Sequence, residues 1–440
     1  MAQHPLRFAN FRYYLIARFC STLAQMAMVI VIGWQVYDIA RRTMGIKEAA
    51  FQLGLIGVAQ FIPLLFLSLF AGWVADRIDR RWIARSAVGL EALCALSLAW
   101  LTWSDTVSLP ALFGIASLLG VARAFAGPSL GALAPNLVPR EILPTAIALS
   151  SSAWQGAAVM GPAMGGYLYA ATDWLPYAVS GTLFLLSFTM LMLIGPVPRT
   201  KVVSTASPWR QMVDGLFYVR RNRLVLGAIS LDLFAVLLGG ATAMLPVYAR
   251  DILMVGADGL GHLRAAPALG AVSIALIFSW RPLKTEVGKK MLVAVGVFGL
   301  ATIVFGLSAP ILIRLLGPSA IGSDLAPAVL LALVALFVLG AADMVSVYVR
   351  QSLIQIYTPD EMRGRVGAVS TLFISGSNEL GEAESGFLAA LVGPVAAVVG
   401  GGIGAILVTI AWARLFPELR RARTFDPPET LELPPKEMTT

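Results

Sequence analysis

The chain has 440 residues, 58% of them hydrophobic and only 13% charged, with a mean hydropathy of +0.78. Soluble domains carry about 25% charged residues, so a water-soluble globular protein is excluded. The net charge of +8 sits in short clusters between apolar runs, which excludes a nucleic-acid-binding surface and fits loops on one side of a membrane.

Hydropathy and helix breakers predict twelve crossing helices, each long enough for about 30 Å of hydrocarbon. Six fall near residues 13–38, 52–76, 82–103, 109–136, 142–171 and 174–195. Six more fall near 224–249, 259–281, 289–308, 325–356, 362–391 and 394–416. The expected fold is an all-α polytopic membrane protein of two pseudo-symmetric six-helix bundles, residues 1–195 and 224–416. Between them lies a linker, 196–223, whose second part alternates Trp209, Met212, Val213, Leu216 and Phe217 with charge, as an interfacial helix does. The tail, 417–440, is polar and proline-rich at its end and is expected to be disordered.

Orientation follows from the basic residues. With the N-terminus in the cytoplasm, only Arg41, Arg42, Lys47, Arg250, Arg264 and Arg314 of the 33 fall on the other side, with Arg18 and Arg123 inside spans. Both termini and the linker are therefore assigned to the cytoplasm. The apolar run after Tyr13 is too long for a cleaved signal and reads as the first span. Cys20 and Cys94 fall within spans and suggest no disulfide, and His4 and His262 are too far apart to make a metal site.

Residues 120–166 recur, without a gap, half the chain length further on as residues 340–386. Pro139 falls on Pro359, Glu141 on Glu361, Ser150 on Ser370, Gly161 on Gly381 and Gly166 on Gly386. A parallel repeat in a hydrophobic chain marks a two-halved transporter with its site where the halves meet. The copies differ in charge: Arg123 becomes Asp343, Pro162 becomes Glu382 and Met164 becomes Glu384.

Ionisable residues within spans cost about 2.5–3.5 kcal/mol each at mid-membrane and need a partner or a wet cavity. Asp232, Asp343, Glu379, Glu382, Glu384, Glu91 and Arg123 are in this position. Glu379 lies about 21 Å beyond Arg365 along its helix. Glu382 is one turn on and shares its face, so the two cannot both ionise cheaply. We take Glu379 and Glu382 as the proton-coupling pair, with Asp232 and Asp343 as further candidates. A buried Arg123–Asp343 bridge and an Arg18–Asp232 pair are the structural alternatives. Gln25, Trp34, Arg123, Trp154, Gln155, Asn378 and Glu384 are candidates to line a substrate cavity, although interfacial or packing roles fit the aromatic residues equally well.

The loop after the second span reads Gly72-Trp-Val-Ala-Asp76-Arg77-Ile-Asp79-Arg80-Arg81. It resembles the Gly-x-x-x-Asp-Arg-x-Gly-Arg-Arg signature of the major facilitator superfamily, departing at Asp79, where the family carries Gly and the turn's tightness is at stake. The resemblance implies a conformational latch built on Gly72, Asp76, Arg77, Arg80 and Arg81. The matching loop of the second half keeps Trp280 opposite Trp73 but lacks the Asp. Gly156, Gly161, Pro162, Gly165 and Gly166 in the fifth span can pack closely and bend. They resemble the fifth-span motif of proton-coupled exporters in the same superfamily. Residues 127–149 together with that motif are similar to the enterobactin-exporter-like branch of secretion permeases.

The resemblance implies a monomeric proton-coupled antiporter that exports a small organic molecule, siderophore-like or drug-like, across a bacterial inner membrane. An importer or facilitator on the same fold competes with this reading. A receptor or scaffold fits less well, because it has no reason to retain acids within spans. The chain has no P-loop, no dinucleotide fingerprint and no His/Cys metal pattern, so neither ATP hydrolysis nor a cofactor is expected and the proton gradient is the implied energy source.

Overall fold

The computed structural model describes residues 4–77, 79–133, 137–139, 142–196 and 208–425. The first half comprises α1 (Ala9–Arg41), α2 (Ile46–Arg77), α3 (Arg80–Trp103), α4 (Leu109–Leu133), α5 (Leu143–Ala171) and α6 (Leu175–Leu193). After the amphipathic α7 (Pro208–Arg221), the second half comprises α8 (Arg223–Leu238), α9 (Gly256–Trp280), α10 (Val287–Leu316), α11 (Pro327–Ile356), α12 (Asp360–Val392) and α13 (Pro394–Leu415). Hydrocarbon offers no partner for a backbone N–H or C=O, and helices satisfy every such group internally. Ten helices among the described residues are long and apolar enough to cross a membrane. The other two long helices, α5 and α12, carry the polar repeat. At 29 and 33 residues they still reach about 44 and 50 Å.

The two halves share one packing plan. In the first, α1 packs on α5 and α6, α2 on α4, and α3 on α4 and α6. In the second, α8 packs on α12 and α13, α9 on α11, and α10 on α11 and α13. Across the interface α2 meets α12 and α5 meets α9, a reciprocal exchange between the repeats. Consecutive spans alternate in direction, so the bundle has a linker end, near α7 and the α2–α3 turn, and a far end, near Arg41 and Gly393.

Three local expectations are corrected. The seventh span is not one helix: α8 stops at Leu238, and Gly239–Gly240 leads into a 3-10 turn, Ala241–Met244, and a π-helical turn, Tyr248–Ile252. Paired glycines hold the helix weakly, and Pro246 withholds a backbone donor. The ninth span runs on to Leu316, with Pro310 inside it. The tail is ordered at its start: Pro417–Arg421 is a short helix with Leu419 buried, and the Val287 and Gly288 N–H groups donate to Arg423 and Ala422. Residues 426–440 lie outside the described residues.

Candidate functional site

The far end is where the halves are fastened. Arg41, at the end of α1, places Nη2 2.8 Å from Asp251 Oδ1 in the π-turn, and its Nε donates to both carboxylate oxygens. Tyr37 Oη donates to Asp251 Oδ2 at 2.6 Å. One turn back, Asp38 forms an ion pair with Arg250, so acid and base are crossed between the halves. Lys47 Nζ also reaches the Leu391 carbonyl at 3.1 Å. Arg41 and Arg250, loop charges by position alone, are thus interface residues, and the sequence signal for this is that Tyr37–Arg41 and Tyr248–Ile252 each carry an acid and a base.

Beneath these pairs the helices cross at glycines. A Cβ on Gly54 would sit 3.1 Å from the Gly386 Cα, and one on Gly166 2.6 Å from the Gly261 Cα. The two crossings are repeats of each other, since Trp280 lies as far past Gly261 as Trp73 lies past Gly54. About three turns toward the linker end on these same faces, Leu65, Gln155 and Val272 are exposed. The halves therefore touch at the far end and part toward the linker end, leaving a cleft.

Helical spacing puts Glu382 and Glu379 on the Gly386 face of α12, one and two turns below the crossing. Glu382 is half-buried, and Arg264 on α9 interacts with it electrostatically. Arg264 itself lies one turn below the Gly166–Gly261 crossing, with its Nε buried and without a hydrogen bond. Far from being a loop charge, Arg264 sits at the head of the cleft. The Glu379 side chain lies outside the described residues. Glu384 accepts a bond from Ser385 Oγ at 3.5 Å, and Asn378 is exposed.

Asp232 has a different partner from the one expected. It forms a buried ion pair with Arg350 of α11, not with Arg18. Arg350 is only 3% exposed, although it lies near the linker end of its span, where a basic residue is expected to reach water. Nor do Arg123 and Asp343 meet. Arg123 Nη1 donates to Gln60 Oε1 at 3.4 Å and interacts with Glu91, both in its own half. Asp343 makes no hydrogen bond or ion pair among the described residues. A repeat places equivalent residues at equal depth, but equal depth does not turn them toward each other.

Glu91, Arg123, Gln60 and Gln25 line a small cavity of about 10 Å³ with Phe184, and Ser21 Oγ donates to Glu91 at 3.4 Å. Trp34 is buried with its ring edge-on to Tyr169, while Trp154 and Gln155 are exposed. Among the fifth-span glycines, Gly161 and Gly165 press on α1 and Gly166 on α9, but Gly156 meets nothing. Pro162 lies within α5.

At the linker end the Asp76 and Arg77 side chains and Gly72 lie outside the described side chains. Asp79 has φ −60°, which any residue adopts, so the family's Gly is not required there. Its carboxylate caps α3 by accepting from the Arg81 N–H at 3.0 Å and holds the Arg81 guanidinium at 2.6 Å. Arg85 secures the same corner by donating to the Leu191 and Ile194 carbonyls at the end of α6. Among the described residues, no group of three or more His, Cys, Asp or Glu side chains could hold a metal.

This architecture recurs in known proteins. Enterobactin exporter EntS of Shigella boydii serotype 18 is 27% identical over 429 residues, covering 96% of this chain and 95% of the relative. The EntS of Citrobacter koseri is 28% identical over 423 residues, covering 94% and 93%. Among solved structures, a POT family transporter in complex with 5-aminolevulinic acid superposes with a TM-score of 0.69 at 12% identity, covering 94% of this chain and 97% of its own. The inward open xylose transporter XylE of E. coli gives 0.66 at 14% identity, covering 96% and 98%. At these identities the structures speak for the fold alone. The family model described as Major Facilitator Superfamily matches residues 14–382. The chain is a membrane-spanning transporter of the Major Facilitator Superfamily, with the twelve-helix fold of that family.

Proposed function

We propose that the protein exports a small organic molecule, siderophore-like or drug-like, by alternating access in antiport with protons. It would act as a monomer in a bacterial inner membrane with both termini inside. The observation that carries this reading is the placement of Glu382. An ionisable group lies on the interface face of α12, one turn below the Gly54–Gly386 crossing and close to Arg264. Its charge state therefore bears on the cost of closing the cleft over it, which is the condition for coupling a proton to a conformational switch. The full-length similarity to enterobactin exporters supports outward movement and a siderophore-like cargo. In this frame the linker end faces the cytoplasm, and the cleft is the inward-facing entrance. Asp232, held by Arg350, is left a structural role, and Glu379 remains with Glu382 as the coupling pair. The proton gradient would supply the energy, with no ATP hydrolysis and no cofactor.

The test is uptake of enterobactin into inverted proteoliposomes under an imposed pH gradient. Glu382→Gln and Glu379→Gln should each abolish accumulation while leaving cargo exchange at equal pH. Wild-type accumulation and pH dependence in both variants would remove the two carboxylates from the coupling step.

A further inference from the structure

A guanidinium inside a protein ordinarily spends its donors on carboxylates or carbonyls. Arg264 does not. Among the described residues it makes no hydrogen bond or ion pair, and its Nε is buried without an acceptor. The residue as a whole keeps partial exposure, so its charge is neither neutralised by the protein nor fully bathed in water.

The acids flanking α9 at this end are committed or solvated. Asp251 is held by Arg41 and Tyr37, Asp258 is exposed, and Asp324 lies 3.5 Å from His262. That leaves Glu382, which acts on Arg264 through space. The two come from opposite flanks of the second half: α9 packs on α11 and α5, whereas α12 packs on α8 and α2. Arg264 and Glu382 therefore face each other from the two flanks at the head of the cleft.

A guanidinium presents its N–H groups as a planar fork that fits two oxygens of one anion at once. A neutral guest would leave that fork unsatisfied where water has been displaced, a loss that an anionic guest avoids. On the reading of the cleft as a cargo path, we propose that Arg264 is its cargo-binding cation. The cargo it selects carries a planar pair of anionic oxygens, as in a carboxylate or an ionised catechol. Glu382 then competes with the cargo for the same cation.

The experiment is isothermal titration of the full-length protein in nanodiscs, without a pH gradient. The probes are salicylate and salicylamide, which share a ring and a hydroxyl and differ in charge. The wild type should bind salicylate about tenfold more tightly, the discrimination expected of one charge-assisted bidentate contact. Arg264→Gln should erase the difference by weakening salicylate alone. Arg264→Lys keeps the charge but not the fork, so it should retain part of the preference, and it carries the test should the Gln variant fail to fold. Glu382→Gln should tighten salicylate, since the competing carboxylate is gone. Equal binding of the two probes, no binding of salicylate, or an undiminished preference in the folded Arg264 variants overturns the proposal. Should that happen while enterobactin is still accumulated in proteoliposomes, the anion site alone falls. Salicylate bound as stated, with no accumulation of enterobactin, would instead sink the export reading and leave the Arg264 site standing.

Discussion

Gly54 of α2 and Gly386 of α12 meet backbone to backbone across the two halves, so closely that neither position has room for a side chain. A Cβ on Gly54 would also lie 3.0 Å from the Ala383 carbonyl oxygen. Overpacking of this kind costs about 1–3 kcal/mol. Here the cost falls only on the state in which the far end is shut. Gly386→Val should therefore shift the population toward a far-end-open form. A cysteine introduced at Lys47 would then react faster with a membrane-impermeant maleimide, against a low background because Cys20 and Cys94 are both buried. Unchanged labelling together with intact transport would show that the crossing does not hold the seal.

The Arg41–Asp251 pair calls for a charge-reversal experiment. Both side chains are largely shielded, at 22% and 13% exposed, and the bond is bidentate. Pairs of this quality are worth about 1.5–3 kcal/mol. Arg41→Asp or Asp251→Arg alone should cut flux about tenfold or more, and the double exchange should recover most of it. A double variant no better than the poorer single would mean that each charge acts through another partner.

For Asp232 and Arg350 the quantity to measure is stability. Removing one member of a buried pair leaves an uncompensated charge and costs about 3–5 kcal/mol. Asp232→Asn should lower the unfolding temperature sharply, and adding Arg350→Met should restore much of the loss. If Asp232→Asn instead unfolds like the wild type and alters the pH dependence of transport, Asp232 belongs with the coupling acids.

Asp79 predicts a graded effect. Replacing an N-cap with Ala costs about 1 kcal/mol, whereas Gly costs a few tenths. Asp79→Ala should thus destabilise the protein more than Asp79→Gly, which restores the residue of the family signature. Thermal unfolding in one detergent is enough to rank the two. The reverse order would mean that Asp79 is not the cap of α3.

Much of the fold was legible because a bilayer imposes a simple rule on sequence, and the gapless match of residues 120–166 with 340–386 announced two bundles. The pairing of charges was not legible. Hydropathy gives the depth of Asp232, but a partner depends on which helix faces point at each other, and that is set by packing. Symmetry suggested Arg123 with Asp343, whereas Arg123 turned to Gln60 and Glu91 in its own bundle. Arg350 was hidden for a different reason. It lies near the end of a long span, where a basic residue ordinarily reaches for water, and only the buried Asp232 on α8 explains why it stays inside. Asp79 looked like a departure from a motif and proved to be a helix cap, a role readable from its position just before α3.

The break after Leu238 bears on how the halves can separate. The π-turn is tied to α1 through Asp251 and Arg250, and to its own half through Tyr248, whose Oη donates to the Gly306 carbonyl at 2.9 Å. The α8 rod below it is anchored separately, through Asp232 and Arg350. In an unbroken helix, any tilt at the top would be transmitted as leverage on the buried ion pair beneath. With two glycines between them, the upper piece can swing while the lower piece stays moored, so the seventh span works as a jointed strut.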